Sequence, residues 1–119
     1  MIDLKDDIRN ALKNDSELSS LVASRVYWIR PAGNPAFPYI TFFEVANSEN
    51  VSADDEEYSD LIEYQVDIWS KASFSAAAKA TQRVMRGLGF THAALPDQYE
   101  KETGIFHKAI QFTIQKEEE

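Results

Sequence analysis

The chain contains no cysteine, so neither a disulfide framework nor thiolate chemistry is available to it. This composition fits a reducing cytoplasm, or a virus assembled in one. Histidine is nearly absent too: His92 and His107 are the only imidazoles. A structural or catalytic zinc site wants at least three protein ligands, and two histidines fall short of that. The four glycines are scattered, which excludes a glycine-rich phosphate loop. No apolar run approaches the length of a membrane span. The first residues, "MIDLKDDIRN", are amphipathic and acidic where a secretion signal would be apolar. Basic residues are outnumbered 12 to 20 by acidic ones, giving a formal charge of −8. A free-standing nucleic-acid binder shows the opposite balance, because phosphate contacts need Lys and Arg. The charge keeps the surface soluble by repulsion, and it also suits a surface that lies near DNA without gripping it.

What is present is enough for one ordinary globular domain. The 119 residues are 44% hydrophobic and 27% charged, and no linker or repeat divides residues 1–119. Ile2, Leu4, Ile8 and Leu12 recur at helical spacing, with Asp3, Asp6 and Asp7 where a helix dipole favours negative charge. "SELSSLV" predicts a second short helical turn capped by Asp15 or Ser16. "RVYWI" (25–29) reads as a strand, "RPAGNPAFP" as a loop, and "YITFFEVAN" as a strand apolar enough to be covered on both faces. "SENVSADDEEYSD" has no periodicity, and Asn47–Asp60 reads as an exposed, mobile, acidic loop. Within it, Asp54, Asp55, Glu56 and Glu57 lack the spacing and turn glycine of a calcium loop, so they read as a solvated charge run.

"LIEYQVDIW" alternates strictly. Ile62, Tyr64, Val66 and Ile68 face one way, while Glu63, Gln65 and Asp67 define a wet face. Ser73 then predicts the cap of a helix running to about Leu88. Its apolar stripe is Phe74, Ala77, Ala78, Thr81, Met85 and Leu88, with Gly89 suited to the left-handed position after it. "FTHAALPDQYE" and "GIFHKAIQFTIQ" read as a closing hairpin turning near "KETG", which would bring His92 and His107 together. The fold class is α+β: a mainly antiparallel sheet, one long helix packed on it, and a short N-terminal helical segment.

No constellation assembles catalysis. Glu63 and Asp67 lie on a wet face, with no pocket to raise a carboxyl pKa, and the serines have no base. Most aromatics read as core, since a stacking platform for single strands needs interleaved Lys and Arg. Trp69 stands apart. By parity it belongs with Glu63, Gln65 and Asp67. Either it folds over the strand end to cap the core, or it belongs to an interface, where Trp is enriched.

Four stretches carry a resemblance in order: "LKDDIRNALKNDSELSSLVASRVYW", "NPAFPYITFFEV", "YQVDIWSKASFSAAAKATQRVMRGL" and "KAIQFTIQ". Together they resemble the tail completion proteins of long-tailed bacteriophages and prophages, also described as tail terminator or tail-to-head joining proteins. The recurrent pieces are a helix leading to "RVY", a proline-tyrosine entry to the second strand, and a strand ending in Asp, apolar, Trp, Ser before a helix. The resemblance implies a non-enzymatic virion subunit without cofactor or metal, assembled in a bacterial cytoplasm. Its copies would form a ring, commonly a hexamer, at the head-proximal end of the tail. Its partners would be other copies of itself, the tail-tube protein and a head-side connector. DNA would pass without specific binding, and no membrane is involved. Candidate interface or lumen residues are then Trp69, Glu63 and Asp67, with Asp54, Asp55, Glu56 and Glu57. A different class, an acidic inhibitor or DNA mimic acting on a basic partner, is the alternative that the charge suggests.

Overall fold

The computed structural model describes residues 2–51 and 58–117. Three helices and six strands follow in the order α1 (Lys5–Asn14), α2 (Ser16–Val22), β1 (Val26–Trp28), β2 (Tyr39–Val51), β3 (Tyr58–Ser70), α3 (Ser75–Gly87), β4 (Thr91–Ala94), β5 (Gln98–Glu100) and β6 (Ile105–Glu117). The strands form one sheet in the order β1-β2-β3-β6-β4, with β5 also paired to β6. It is an α+β fold with a mostly antiparallel sheet; only β1 and β2 run parallel.

The strict alternation in β3 decides which face is the core. Ile62, Val66 and Ile68 are fully buried and Tyr64 nearly so. Their partners across β6 are Ile114, Phe112, Ile110 and Lys108, and across β2 Phe42 and Ile40 stand level with Val66 and Ile68. Leu4, Ile8 and Leu12 of the first helical region, Leu18 and Val22 of α2, and Ala77, Ala78, Ala80 and Met85 of α3 complete one apolar cluster with them. The helical layer is therefore shared: α1, α2 and α3 have 10, 7 and 13 residues, where one long helix and a short N-terminal helical segment were expected. Burial pushes the Tyr64 phenol up to about 12, so it stays neutral at any physiological pH.

Local chemistry sets the element ends. Asp15 is the cap of α2, its carboxylate accepting the Leu18 N–H at 3.1 Å. It also accepts two bonds from Arg83 of α3, at 3.0 and 2.8 Å, which pins the two helices together. This bidentate guanidinium holds the Asp15 carboxyl below its ordinary value. A carboxyl depressed by folding stabilises the native state above its unfolded pKa of about 4, and the contribution is lost as pH falls through the native value. Asp15→Ala should cost about 1 kcal/mol through the lost cap. Asp15→Asn should keep the cap yet flatten the loss of stability below about pH 4, read by urea melts at pH 3 to 6.

Ser73 is not the cap of α3. The helix starts at Ser75, Phe74 holds the cap position without a side-chain bond, and Ser73 Oγ instead accepts the Ser75 N–H in a local turn. At the other end Gly89 takes a positive φ of 103° after the last turn, as its lack of a Cβ allows.

Three further expectations are corrected. Asn47–Val51 and Tyr58–Asp60, read as loop, are paired strand. The ladder needs only backbone groups, and Asp60 is buried because it accepts the Ile2 N–H at 3.0 Å. Residues 52–57, including Asp54, Asp55, Glu56 and Glu57, lie outside the described residues. Second, β2 is covered on both faces only around Ile40–Phe42; Glu44–Glu49 are largely exposed, and a bulge at Val45 shifts its register. Third, the closing hairpin is broken. Leu95, Pro96 and Asp97 separate β4 from β5, and Lys108 staples the break by donating to Leu95 O at 3.0 Å and to Asp97 at 2.6 Å.

Candidate functional site

Among the described residues, no helix covers the second face of the sheet. Its side chains come from the alternate positions of β1, β2, β3 and β6, which parity assigns to Tyr27, Tyr39, Thr41, Phe43, Glu63, Gln65, Asp67, Trp69 and His107. A bare antiparallel face normally stays wet. This one covers part of itself.

An aromatic row crosses four strands near one end. Tyr27 meets Tyr39 edge-on, with ring centres 6.1 Å apart. Tyr39 lies near-parallel to Trp69 at 6.2 Å, and Trp69 stacks flat on His107 at 3.9 Å with 5° between the planes. Tyr39, Trp69 and His107 are direct cross-strand neighbours, so the ladder itself sets these contacts. The indole Nε1 donates to Thr41 Oγ1 at 2.9 Å. Trp69 therefore stands on the face that parity assigned. It covers Thr41 and the strand beside it, and does not fold over to the helical core.

Asp67 does not behave as a wet-face carboxylate. It is 5% exposed. His107 Nε2 lies 2.8 Å from its Oδ1, and Gln65 Nε2 donates to the same oxygen at 2.9 Å. With Asp67 ionised the imidazole proton sits on Nε2 and donates. The flat ring of Trp69 against His107 fixes this geometry. The partner that buries Asp67 arrives 40 residues later in the chain, which spacing along β3 could not reveal. Glu63 keeps a half-exposed position, level with Ala46 and Thr113.

The two histidines are apart. His92 stands level with Phe112, while His107 stands level with Gln98 and Trp69. Five residues of β6 separate the two levels, on the order of 17 Å. Among the described residues no three His, Asp or Glu side chains come together as a metal site would require. The Asp67–His107 pair ties β3 to β6 across the sheet face, and among the described residues no serine or threonine hydroxyl is bonded to the imidazole.

The exposed large apolar residues were missed by sequence reasoning. Trp28 is 45% and Ile29 54% exposed at the β1 edge, and Tyr99 is 56% exposed at the β5 edge. In the sequence they are indistinguishable from core aromatics and strand residues; the end of β1 and the edge position of β5 leave them exposed.

Comparison with known proteins sets this scaffold in a family. No curated protein matches the chain. Among solved structures, a chain of the "Virion of native gene transfer agent (GTA) particle" has a TM-score of 0.65 at 17% identity. The match covers 93% of this chain and 92% of that one, and it is a likeness of fold. The family model described as "Tail completion protein gp17" matches residues 6–115, from the first turn of α1 to the last part of β6. The resemblance carried by the helix before "RVY", the entry to β2 and the Trp69 seam thus holds across the whole fold, and the chain belongs to the tail completion protein gp17 family.

Proposed function

We propose that this protein caps the head-proximal end of a phage or prophage tail tube and joins the tail to the head, acting as a ring of identical copies, six in the assembled tail. The observation that carries the reading is the family match over residues 6–115. The fold likeness to a chain of a virion particle agrees with it. So does a small α+β subunit with one face left without helices, since such a subunit can use heterologous contacts that close by rotation. The work is structural and needs no catalysis, cofactor or metal. Its other partners are the tail-tube protein on one side and a head-side connector on the other. DNA passes through the opening without specific binding, which a net charge of −8 suits.

The reading is tested by removing the chain from an assembling particle and restoring it in trans. Without it, filled heads and tails should accumulate unjoined; with it, joined particles should return. Joined particles in its absence would contradict the proposal.

A further inference from the structure

Two features at opposite edges of the sheet fit each other. On the β1 edge, Trp28, the last residue of the strand, and Ile29 just after it are exposed. Ile29 adopts φ +70°, a left-handed conformation that a β-branched residue takes only at a cost in free energy. Its N–H still donates to Phe42 O at 2.9 Å, so the backbone remains tied to β2 while the side chain is turned out. Arg30 follows directly, also exposed. The other flank of the indole is already occupied: Lys5 Nζ sits 4.4 Å from the ring centre, in a hollow shared with Asp3 and Glu44.

On the β5 edge lies a concavity of about 690 Å³. Trp69, Ile105 and His107 supply its apolar and aromatic wall, and Glu100 and Glu102 supply acidic groups on either side of Lys101; the Tyr99 ring lies against its cross-strand partner Phe106 on the other face. An exposed Trp-Ile-Arg stretch thus stands on one edge of the subunit, and an aromatic hollow with an acidic rim stands on the other. Trp, Tyr and Arg are the side chains that dominate contact energies. An apolar projection complementary to a hollow elsewhere on the same molecule makes a head-to-tail contact, which closes into a ring when the rotation allows.

We infer that Trp28, Ile29 and Arg30 of one copy seat in the Trp69–Ile105–His107 concavity of the next copy, with Arg30 meeting Glu100 or Glu102. This rests on the ring reading above and names its surfaces. It gives the half-exposed Trp69 a second task, as one wall of the hollow as well as the cover over Thr41. It also sets the strand direction in the ring. Trp28 stands level with Ile110 through Phe42 and Val66, and the hollow is centred on the level of Phe106, between Ile105 and His107. The two contact sites are therefore four residues of β6 apart, about 13 Å along the strands. A contact offset in this way closes without a helical rise only if the strands incline to the ring axis.

The test uses the natural lack of cysteine. The full-length double variant Ile29→Cys with Glu102→Cys should give, on mild oxidation, a ladder of disulfide-linked oligomers ending at the ring number. Ile29→Cys alone mixed with Glu102→Cys alone should give a linked dimer and nothing larger, and neither alone should link. Arg30→Glu should weaken self-association at least about tenfold in sedimentation, with the melting transition unchanged. Assembly without the 29–102 ladder, or self-linked dimers of Ile29→Cys, would overturn this contact while leaving the ring reading standing. A protein that stays monomeric up to about millimolar concentration and in assembled particles, with no cross-links, would overturn both.

Discussion

Val66→Asp is expected to leave no folded domain at 25 °C. Val66 is fully buried in the middle of β3, level with Phe42 on one side and Ile110 on the other. A carboxylate there has no partner, and burying an unpaired charge costs several kcal/mol. A domain of this size has on the order of 5–15 kcal/mol of total stability, so one such change can exhaust it. Glu63→Ala is the control on the same strand. Glu63 lies half-exposed on the face without helices, and its truncation should change stability by less than about 1 kcal/mol. Urea melts of the two variants test the parity of the whole strand. Equal effects would show the parity assignment to be wrong.

Placing lysine at Asp54, Asp55, Glu56 and Glu57 is expected to leave tails assembled but DNA retained. Each exchange adds two charges, which takes the chain from −8 to neutral and multiplies around the ring. A channel passed by a polyanion works by not holding it. Lysines would hold it, through counterion release that steepens with the number of phosphate contacts. Glu63→Lys is the second arm, on the half-exposed β3 position. Asp67 is excluded from the set, because its buried carboxylate is bonded to His107 and Gln65 and a lysine there would break the fold. Particle counts by electron microscopy, beside ejection rates at two salt concentrations, check the outcome. Ejection should be slowed at low salt and partly recover at high salt. An unchanged rate at both salts would mean that these acids serve solubility alone.

The core was legible because it is periodic. Ile62, Tyr64, Val66 and Ile68 alternate, and all four are buried. The cap at Asp15, the stripe of α3 and the positive φ of Gly89 were equally local, each depending on residues within one or two turns. What could not be read are the arrangements that join distant segments. Asp67 obeys the alternation of its strand yet is buried, because His107 and Trp69 close over it. Tyr58–Asp60 has the composition of a loop, but the ladder to β2 and β6 and the Ile2 N–H hold it as strand. The two edges that would meet between copies were invisible for the same reason. Trp28 and Tyr99 look like core until β1 ends after three residues and β5 begins after a proline break.

The tail-length distribution of particles assembled without this chain tests the central claim most directly. A protein that caps the tube should, when absent, leave tube growth unchecked. Electron micrographs should then show tails longer than normal and widely spread in length, none attached to a head. Supplying the protein in trans should restore one narrow length class. Tails of normal, uniform length in its absence would contradict the claim that it caps the tube.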